Sequence, residues 1–316
     1  MINHGLLSRP LLVFTSLALS LLSQFVLSAP VLCQKQEVGL QVLGSGGPEL
    51  DDGRASSSYV IWHNKRSRLL VDIGPGSSVN FGRAGADFNE LDGILLTHLH
   101  VDHSSDLPAY VKGAYFNSRT RALPIYGPDK NDLMPSTSDF VQRLFAQGGV
   151  YPYLADYLVP SDNDFFLQAF NVTTAPEQPK QILTYSLAPD LSISAIAVHH
   201  GPVAAVAWRV DIAGCIVSFS GDMNNQTQHL RQLAQDADLL VINNAIPELA
   251  QGAARNLHMP PSEIGKIAQA AKVKRILLTH FMKRTNDSQT DTLRLIKQFY
   301  AGRVDLSEDM LRYPLP

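Results

Sequence analysis

The stretch Thr97-His98-Leu99-His100-Val101-Asp102-His103 places three imidazoles and one carboxylate within six residues. It follows residues 91–96, an apolar run whose length and branching are typical of a buried strand. Neutral imidazole and carboxylate are good ligands for a divalent transition metal, zinc above all. In an extended backbone His98 and His100 point the same way, so Asp102 and His103 can face a second position. The sequence therefore predicts that one segment at a strand end supplies two adjacent metal ions.

Length and composition set the class of protein. The chain has 316 residues, of which 45% are hydrophobic and 17% are charged, as in ordinary soluble globular domains. The formal net charge of −3 gives no basic footprint for nucleic acid. Two cysteines are too few for a disulfide framework or a thiolate zinc site, and we expect Cys33 and Cys215 to be unpaired.

The N-terminal segment has the features of a secretory signal peptide over residues 1–29. A basic start precedes a long apolar core, and small residues stand near a cleavage site. The alternative is an uncleaved membrane anchor, because the apolar stretch reaches toward Leu27 and Pro30 is awkward after the cut. We predict export to the periplasm or the medium, with the folded domain over residues 30–316.

Later apolar runs also end in residues that bind metals or support such a site. The run that ends at Asp72 is followed by Gly74 and Gly76, which suits a carboxylate that hydrogen-bonds loop amides or ligand histidines. Three further runs end in His199-His200-Gly201-Pro202, Ser220-Gly221-Asp222 and Thr279-His280. Residues 276–280 repeat residues 94–98 letter for letter, which predicts two similar β-α halves that each present a histidine at a shared edge.

Residues 128–181 interrupt this rhythm and are predicted to be an insertion. They are rich in Pro, Asp, Asn and Gln and carry many aromatic residues. One interpretation is a surface insertion packed by its own aromatics. The other is a cover over the site that binds an aromatic or apolar part of the substrate, because long insertions in compact domains often cover active sites.

These motifs resemble those of the metallo-β-lactamase fold over about residues 37–281, apart from the insertion. The resemblance implies an α/β fold, a four-layer αββα sandwich. Within that superfamily the chain is most similar to the branch of ribonuclease Z and the zinc-dependent arylsulfatases. The glycine turn Gly44-Ser45-Gly46-Gly47-Pro48 with Arg54, and His258 before Thr279-His280, carry this finer resemblance.

The resemblance also implies the residues of the site. One zinc ion would be bound by His98, His100 and His200, and a second by Asp102, His103 and His280. Asp222 would bridge the two ions. His199 is an adjacent rival of His200, which we prefer because the family ligand stands immediately before such a turn. Asp102 would also orient the nucleophile, and His258 would donate a hydrogen bond to the ester or a proton to the leaving group.

Three functions follow as hypotheses. The first is a secreted binuclear-zinc hydrolase that cleaves small anionic esters, aryl sulfates in its sharpest form, by a metal-bound hydroxide. The second is a phosphodiesterase, acting on cyclic nucleotides or resembling ribonuclease Z. Export argues against tRNA maturation, which is cytoplasmic, so we expect a small-molecule substrate, no nucleic acid and no stable membrane association, and a homodimer stays open. The third is a metal-dependent binding protein, which the intact ligand set disfavours.

Overall fold

The computed structural model describes residues 1–2, 33, 37–161, 164–174 and 181–315. The chain divides into Met1–Pro30 and Val31–Pro316, and every element below belongs to the second unit. The predicted signal peptide lies outside the described residues except for its first two, so its boundary at residue 29 stays a prediction. Among the described residues, no helix is long and apolar enough to cross a membrane.

The first sheet has seven strands in the order β14-β1-β2-β3-β4-β5-β6, six from the first half of the domain and β14 from its last residues. The strands are β1 Val38–Gly44, β2 Ser58–His63, β3 Arg66–Ile73, β4 Gly93–Leu95, β5 Leu123–Pro128, β6 Leu167–Val172 and β14 Arg312–Pro314. Neighbours from β14 to β3 pair antiparallel, and those from β3 to β6 pair parallel.

The second half repeats this plan in the order β13-β12-β11-β10-β9-β8-β7. Its strands are β7 Leu183–Ala188, β8 Leu191–His200, β9 Val203–Ile212, β10 Cys215–Phe219, β11 Leu239–Asn243, β12 Arg275–Thr279 and β13 Arg303–Leu306. Strands β7 to β10 pair antiparallel, and β10 to β13 pair parallel. The repeated I-L-L-T-H sequence therefore ends a parallel strand in each sheet, β4 in one and β12 in the other.

Helices cover the outer face of each sheet. They are α1 Ser77–Arg83, α2 Val101–Ser104, α3 Leu107–Ala114, α4 Thr137–Phe145, α5 Leu230–Leu233, α6 Gly252–Leu257, α7 Pro261–Ala270, α8 Lys283–Asn286 and α9 Gln289–Lys297, with 3-10 turns at Phe88–Glu90 and Pro152–Leu158. Helix α3 buries Leu107, Tyr110, Val111 and Ala114, which is the apolar stripe that its 3.6-residue period predicts.

Three clusters of buried hydrophobic residues fill the spaces between the layers. The central one joins the facing surfaces of the two sheets and includes Leu40, Val71, Ile193, Trp208 and Phe219. The second packs the first sheet against α1, α3 and α4, and the third packs the second sheet against α5, α7 and α9. The four layers are thus helix, sheet, sheet and helix, and the predicted αββα metallo-β-lactamase fold is confirmed.

The two sheets are tied together where the histidine motif begins. The indole Nε1 of Trp208 on β9 donates to the carbonyl of Leu96 at 3.0 Å, and the Val206 amide donates to the Thr97 carbonyl at 2.8 Å. His98 forms an isolated antiparallel bridge with Ala205. These bonds bring the end of β4 to the edge where the second sheet presents its own ligands.

The prediction that both cysteines are unpaired is wrong. Cys33 and Cys215 form a disulfide, although 182 residues separate them in the sequence. Cys215 begins β10 and is fully buried in the central cluster. A single cysteine in a strand sequence does not indicate which distant cysteine pairs with it. The bridge fastens the chain just before β1 to the second sheet, and cross-links that close long loops stabilise mainly by restricting the unfolded chain.

The last two strands complete the two sheets. β13 and β14 follow α9, and β14 pairs with β1, with Gly39 opposite Pro314.

The segment predicted to be an insertion contributes to the first sheet and its helical layer. Within residues 128–181, α4 covers the first sheet and β6 is a strand of it. Phe145, Tyr157 and Phe165 pack in its outer cluster, so these aromatics are core residues and do not line a cover over the site.

Candidate metal centre

The histidine motif and the later strand ends meet at one edge of the sandwich. Two groups of ligand atoms form there, and within each group all atoms lie within 4.8 Å of one another. The first group is His98, His100, His200 and Asp222, and the second is Asp102, His103 and His280. All seven residues are buried except His100, which is partly exposed. The structure thus brings together every ligand candidate that the sequence indicates.

Local backbone geometry explains how a short motif serves both groups. His98 lies in extended backbone, and His100 is the N-cap of α2, so these two face the first group. Asp102 and His103 lie in the turn of α2, which directs them to the second group. The chain leaves the strands sharply at the site, with Asp72 and His280 both at φ 54°, a conformation that non-glycine residues adopt mainly where function or packing demands it.

Asp222 lies between the groups, and its two oxygens face opposite ways. Oδ1 is 3.4 Å from His280 Nε2 and 3.8 Å from His103 Nε2. Oδ2 is 3.6 Å from His200 Nε2 and 3.9 Å from His98 Nε2. This is the arrangement that a carboxylate needs if it is to bind one metal with each oxygen. The preceding Gly221 adopts φ 57°, and a side chain there would collide with Thr97, so the turn requires glycine.

Asp72 hydrogen-bonds to residues of the histidine motif, as predicted. Its Oδ1 accepts from the Thr97 amide at 2.8 Å, and its Oδ2 accepts from Thr97 Oγ1 at 2.9 Å and from His103 Nδ1 at 2.8 Å. The carboxylate therefore fixes the ring of His103 and leaves Nε2 directed toward the site, which is how outer carboxylates orient ligand histidines.

The other rings are oriented in similar ways. His98 Nδ1 lies 3.1 Å from Thr97 Oγ1, and His200 Nδ1 donates to the Leu257 carbonyl at 2.8 Å. The Nε2 atoms of His98 and His103 are buried, with no hydrogen-bond partner among the described residues. Imidazole nitrogens that face a carboxylate pair in this way match the chemistry of a divalent metal site, so the donor set fits zinc.

The ionisable groups of the site strongly shift one another's pKa values. Burial alone would raise the pKa of Asp222, but the imidazoles of His280, His258 and His103 hold that pKa well below its usual range. Burial would lower the pKa of His103, yet Asp72 and Asp102 raise it to about 10. The carboxylates of this pocket are therefore anionic and partnered by imidazoles.

His258 lies on the rim of the same pocket, immediately after α6. Its Nδ1 is 3.8 Å from Asp222 Oδ2, and its ring centroid is 5.5 Å from that of His200 and 5.7 Å from that of His280. Burial, together with the positive charges of His280 and His200 and despite Asp222, lowers the pKa of His258 to about 4. His258 is thus a neutral imidazole beside the ligand groups and is a member of neither.

The two adjacent histidines at the end of β8 have separate places. His200 enters the first group, with Nε2 at 3.4 Å from His100 Nδ1. His199 points away, and its Nδ1 accepts from the side-chain amide of Asn224 at 2.9 Å. The geometry therefore favours His200 over His199 as the ligand.

Two contributors escaped the sequence analysis. Asn243 ends β11 and donates a side-chain hydrogen bond to Asp222 Oδ1. Gly47 lies against His280, and a Cβ at that position would stand 2.8 Å from His280 Cε1. The glycine turn entered the sequence-based prediction only through the family resemblance, which did not indicate that Gly47 contacts His280. A lone amide at a strand end gave no signal at all.

Comparisons with known proteins agree with this geometry. Residues 67–281 match the family described as Beta-lactamase superfamily domain. Ribonuclease Z of Haloferax volcanii is 25% identical over 310 residues, covering 87% of this chain and 94% of that protein. Ribonuclease Z of Mycobacterium bovis is 27% identical over 290 residues, covering 86% and 96%. The crystal structure of human tRNase Z, short form, is 21% identical, covers 88% of this chain and 99% of its own, and has a TM-score of 0.65, a likeness of fold.

These relatives overturn three expectations. The preference for aryl sulfates and the expectation of a small ester without nucleic acid are wrong, because the relatives that cover most of the chain are ribonucleases. The predicted periplasmic or secreted location, which rested on the N-terminal segment, is wrong as well, because the relatives that cover most of the chain are ribonucleases and not exported ester hydrolases. The physical error was to treat a net charge of −3 as excluding RNA, although cleavage of one phosphodiester needs only local positive charge.

The ester-bond chemistry survives these corrections. The relatives are hydrolases of phosphodiester bonds, and the ligand groups fit a metal-dependent enzyme of that kind. The family match covers more than half of the chain, and the fold and the motif agree with it. This chain belongs to the beta-lactamase superfamily and is a metal-dependent hydrolase that acts on ester bonds.

Proposed function

We propose that the chain is a ribonuclease Z-like phosphodiesterase that cleaves RNA with the help of two zinc ions. The observation that carries the proposal is the position of Asp222, whose two oxygens face two separate ligand groups. The likeness to ribonuclease Z over 86–87% of the chain supports RNA as the substrate class.

The proposal assigns a role to each residue of the two ligand groups. His98, His100 and His200 would hold one ion, Asp102, His103 and His280 the other, and Asp222 both. Bound zinc supplies Lewis acidity and activates water near neutral pH. Asp102 accepts from His280 Nε2 at 3.2 Å, so its carboxylate faces the ligand groups, where it can orient a nucleophile.

Arg284 supplies a positive charge near the ligand groups, although the net charge of the chain is −3. Arg284 lies in α8, four residues after His280, and its Nε donates to the Ala245 carbonyl at 2.6 Å. Its positive charge is a minor cause of the lowered pKa of His258, after burial and the charges of His280 and His200.

Arg284 is exposed, and its Nη2 also contacts Met282 Sδ at 3.1 Å. An exposed guanidinium can donate charged hydrogen bonds to a phosphate. We propose that Arg284 contacts a substrate phosphate beside His258.

A substrate comparison tests the proposed function directly. The purified protein with zinc is offered a pre-tRNA, an unstructured RNA oligonucleotide, a bis-aryl phosphodiester, cyclic AMP and an aryl sulfate, with the chelated protein as control. We expect the highest kcat/KM for one of the two RNAs and no turnover of the sulfate above the control. A preference for cyclic AMP would replace RNA with a cyclic nucleotide, and a preference for the sulfate would overturn the proposal.

Arg284→Ala should weaken RNA binding more than catalysis. Loss of one charged hydrogen bond costs about 1.5 kcal/mol, which corresponds to a roughly tenfold rise in KM. Arg294→Ala is the matched control, because Arg294 is also exposed, lies ten residues farther along the chain in α9 and pairs with Asp291 at 3.3 Å. Steady-state kinetics on the best RNA measures both. Equal KM values for the two variants would remove Arg284 from the substrate site.

A further inference from the structure

Asn243 joins the second sheet to the ligand set. It is the last residue of β11, is 7% exposed, and lies opposite Thr279 of β12, the residue before His280. Its backbone amide donates to Ser220 Oγ at 3.2 Å, at the end of β10. Neighbouring strands on both sides therefore fix its backbone, and the direction of its side chain follows from that.

The side-chain amide of Asn243 is committed to one oxygen of Asp222. Nδ2 donates to Oδ1, the oxygen that faces His280 and His103. A carboxylate oxygen has two acceptor directions, so this bond uses one and leaves the other for a ligand. The opposite oxygen, Oδ2, faces His200 and His98.

The Asn243 bond therefore selects one rotation of the carboxylate. Without it, Asp222 is free to turn and offer both oxygens to the group of His98, His100 and His200, since the Asn243 amide is the one hydrogen-bond donor to Oδ1 among the described residues. Such a turn would leave the group of Asp102, His103 and His280 without its shared ligand. A neutral amide donor also adds no charge that would compete for the metal.

We propose that Asn243 is a positioning residue that holds Asp222 as a bridge and thereby sets the metal affinity of the Asp102–His103–His280 group. The inference rests on the proposed binuclear function and names which of the two groups depends on Asn243. Outer hydrogen-bond partners of metal ligands typically change metal affinity by roughly 10–100-fold, and we expect a loss of that size at this group alone.

Asn243→Leu removes the donor at nearly constant volume, and Asn244→Leu is its matched control. Asn244 is the next residue and fully buried, and neither polar atom of its side chain has a hydrogen-bond partner among the described residues. The same substitution at the same depth therefore deletes a bond at one position and none at the other. Asn243→Ala repeats the test with a smaller side chain should the leucine variant fail to fold.

The experiment is a zinc titration of metal-free protein against a chromophoric chelator, with circular dichroism to verify folding. It is performed on the wild type and in two backgrounds, His200→Ala, which spares the Asp102 group, and His280→Ala, which spares the His98 group. We expect Asn243→Leu to weaken zinc binding at least about tenfold in the first background and less than about threefold in the second. Asn244→Leu should match its parent in both.

The outcomes separate this inference from the function on which it rests. A wild type that binds fewer than two ions would overturn the binuclear function whatever Asn243 does. A wild type with two sites, together with an Asn243→Leu variant that binds as tightly as its parent in the His200→Ala background, would overturn the inference and leave the function standing. Equal weakening in both backgrounds would also overturn it, because that result indicates a general structural role.

Discussion

Replacement of Asp222 by alanine is expected to abolish hydrolysis, with a fall in kcat/KM of at least about 10⁴-fold. Charge stabilisation by metals is worth several kcal/mol, and each 1.4 kcal/mol corresponds to a factor of ten in rate. Among the described residues, Asp222 is the one whose oxygens face both ligand groups, so we expect its loss to affect the binding of both ions. Zinc analysis after gel filtration should find fewer than two ions per chain, and kinetics on RNA should show the loss of rate.

Asp238→Ala is the matched control for this variant. Asp238 is as deeply buried as Asp222 but stands at the far end of the sheet, where it accepts from the Ile216 amide at 2.8 Å and pairs with Lys274. Its removal should lower thermal stability and leave the zinc content unchanged. If Asp222→Ala kept two zinc ions and ordinary turnover, the bridging role would be wrong, and the inference about Asn243 would lose its basis.

The histidine motif could be interpreted from sequence because its information is local. Three imidazoles and a carboxylate follow one strand, and the chemistry of zinc restricts what such a cluster does. The partners His200, Asp222 and His280 were found by the same reasoning, since each follows an apolar run. Parallel strands in one sheet end at a common edge, which is why polar residues at several strand ends could be grouped before any coordinates existed.

Asn243 and the disulfide show where this reasoning ends. The role of Asn243 exists only because β11 lies between β10 and β12, and nothing in the sequence near Asn243 states that order. Cys33 and Cys215 are 182 residues apart, and their pairing depends on Cys33 packing against the central cluster that contains Cys215. The substrate was misjudged for a related reason, because a net charge averages over the chain, whereas the contacts proposed for Arg284 and His258 lie at one edge of the domain.

His258→Ala is expected to lower kcat/KM for RNA by roughly 10²–10³-fold without loss of zinc, as removal of one preorganised hydrogen-bond donor does in other hydrolases. His258 is close to Asp222 but belongs to neither ligand group, so both ions should remain. His229→Ala is the matched control. His229 is similarly buried, and its Nδ1 donates to the Ala197 carbonyl at 2.8 Å under β8, away from the site. A loss of zinc in His258→Ala would contradict the assignment and make His258 a ligand.

A second measurement on the same variant decides which group of the substrate His258 serves. Because the pKa of His258 is lowered to about 4, the imidazole is neutral above about pH 5, so it donates a hydrogen bond but has no additional proton to give. A hydrogen bond to a phosphoryl oxygen should then matter equally for RNA and for a bis-aryl phosphodiester, whose leaving group needs no proton. We therefore expect similar losses on both substrates and an unchanged pH profile between pH 6 and pH 9. A loss confined to RNA, with the acid limb of the wild-type profile abolished, would instead make His258 the proton donor to the leaving group.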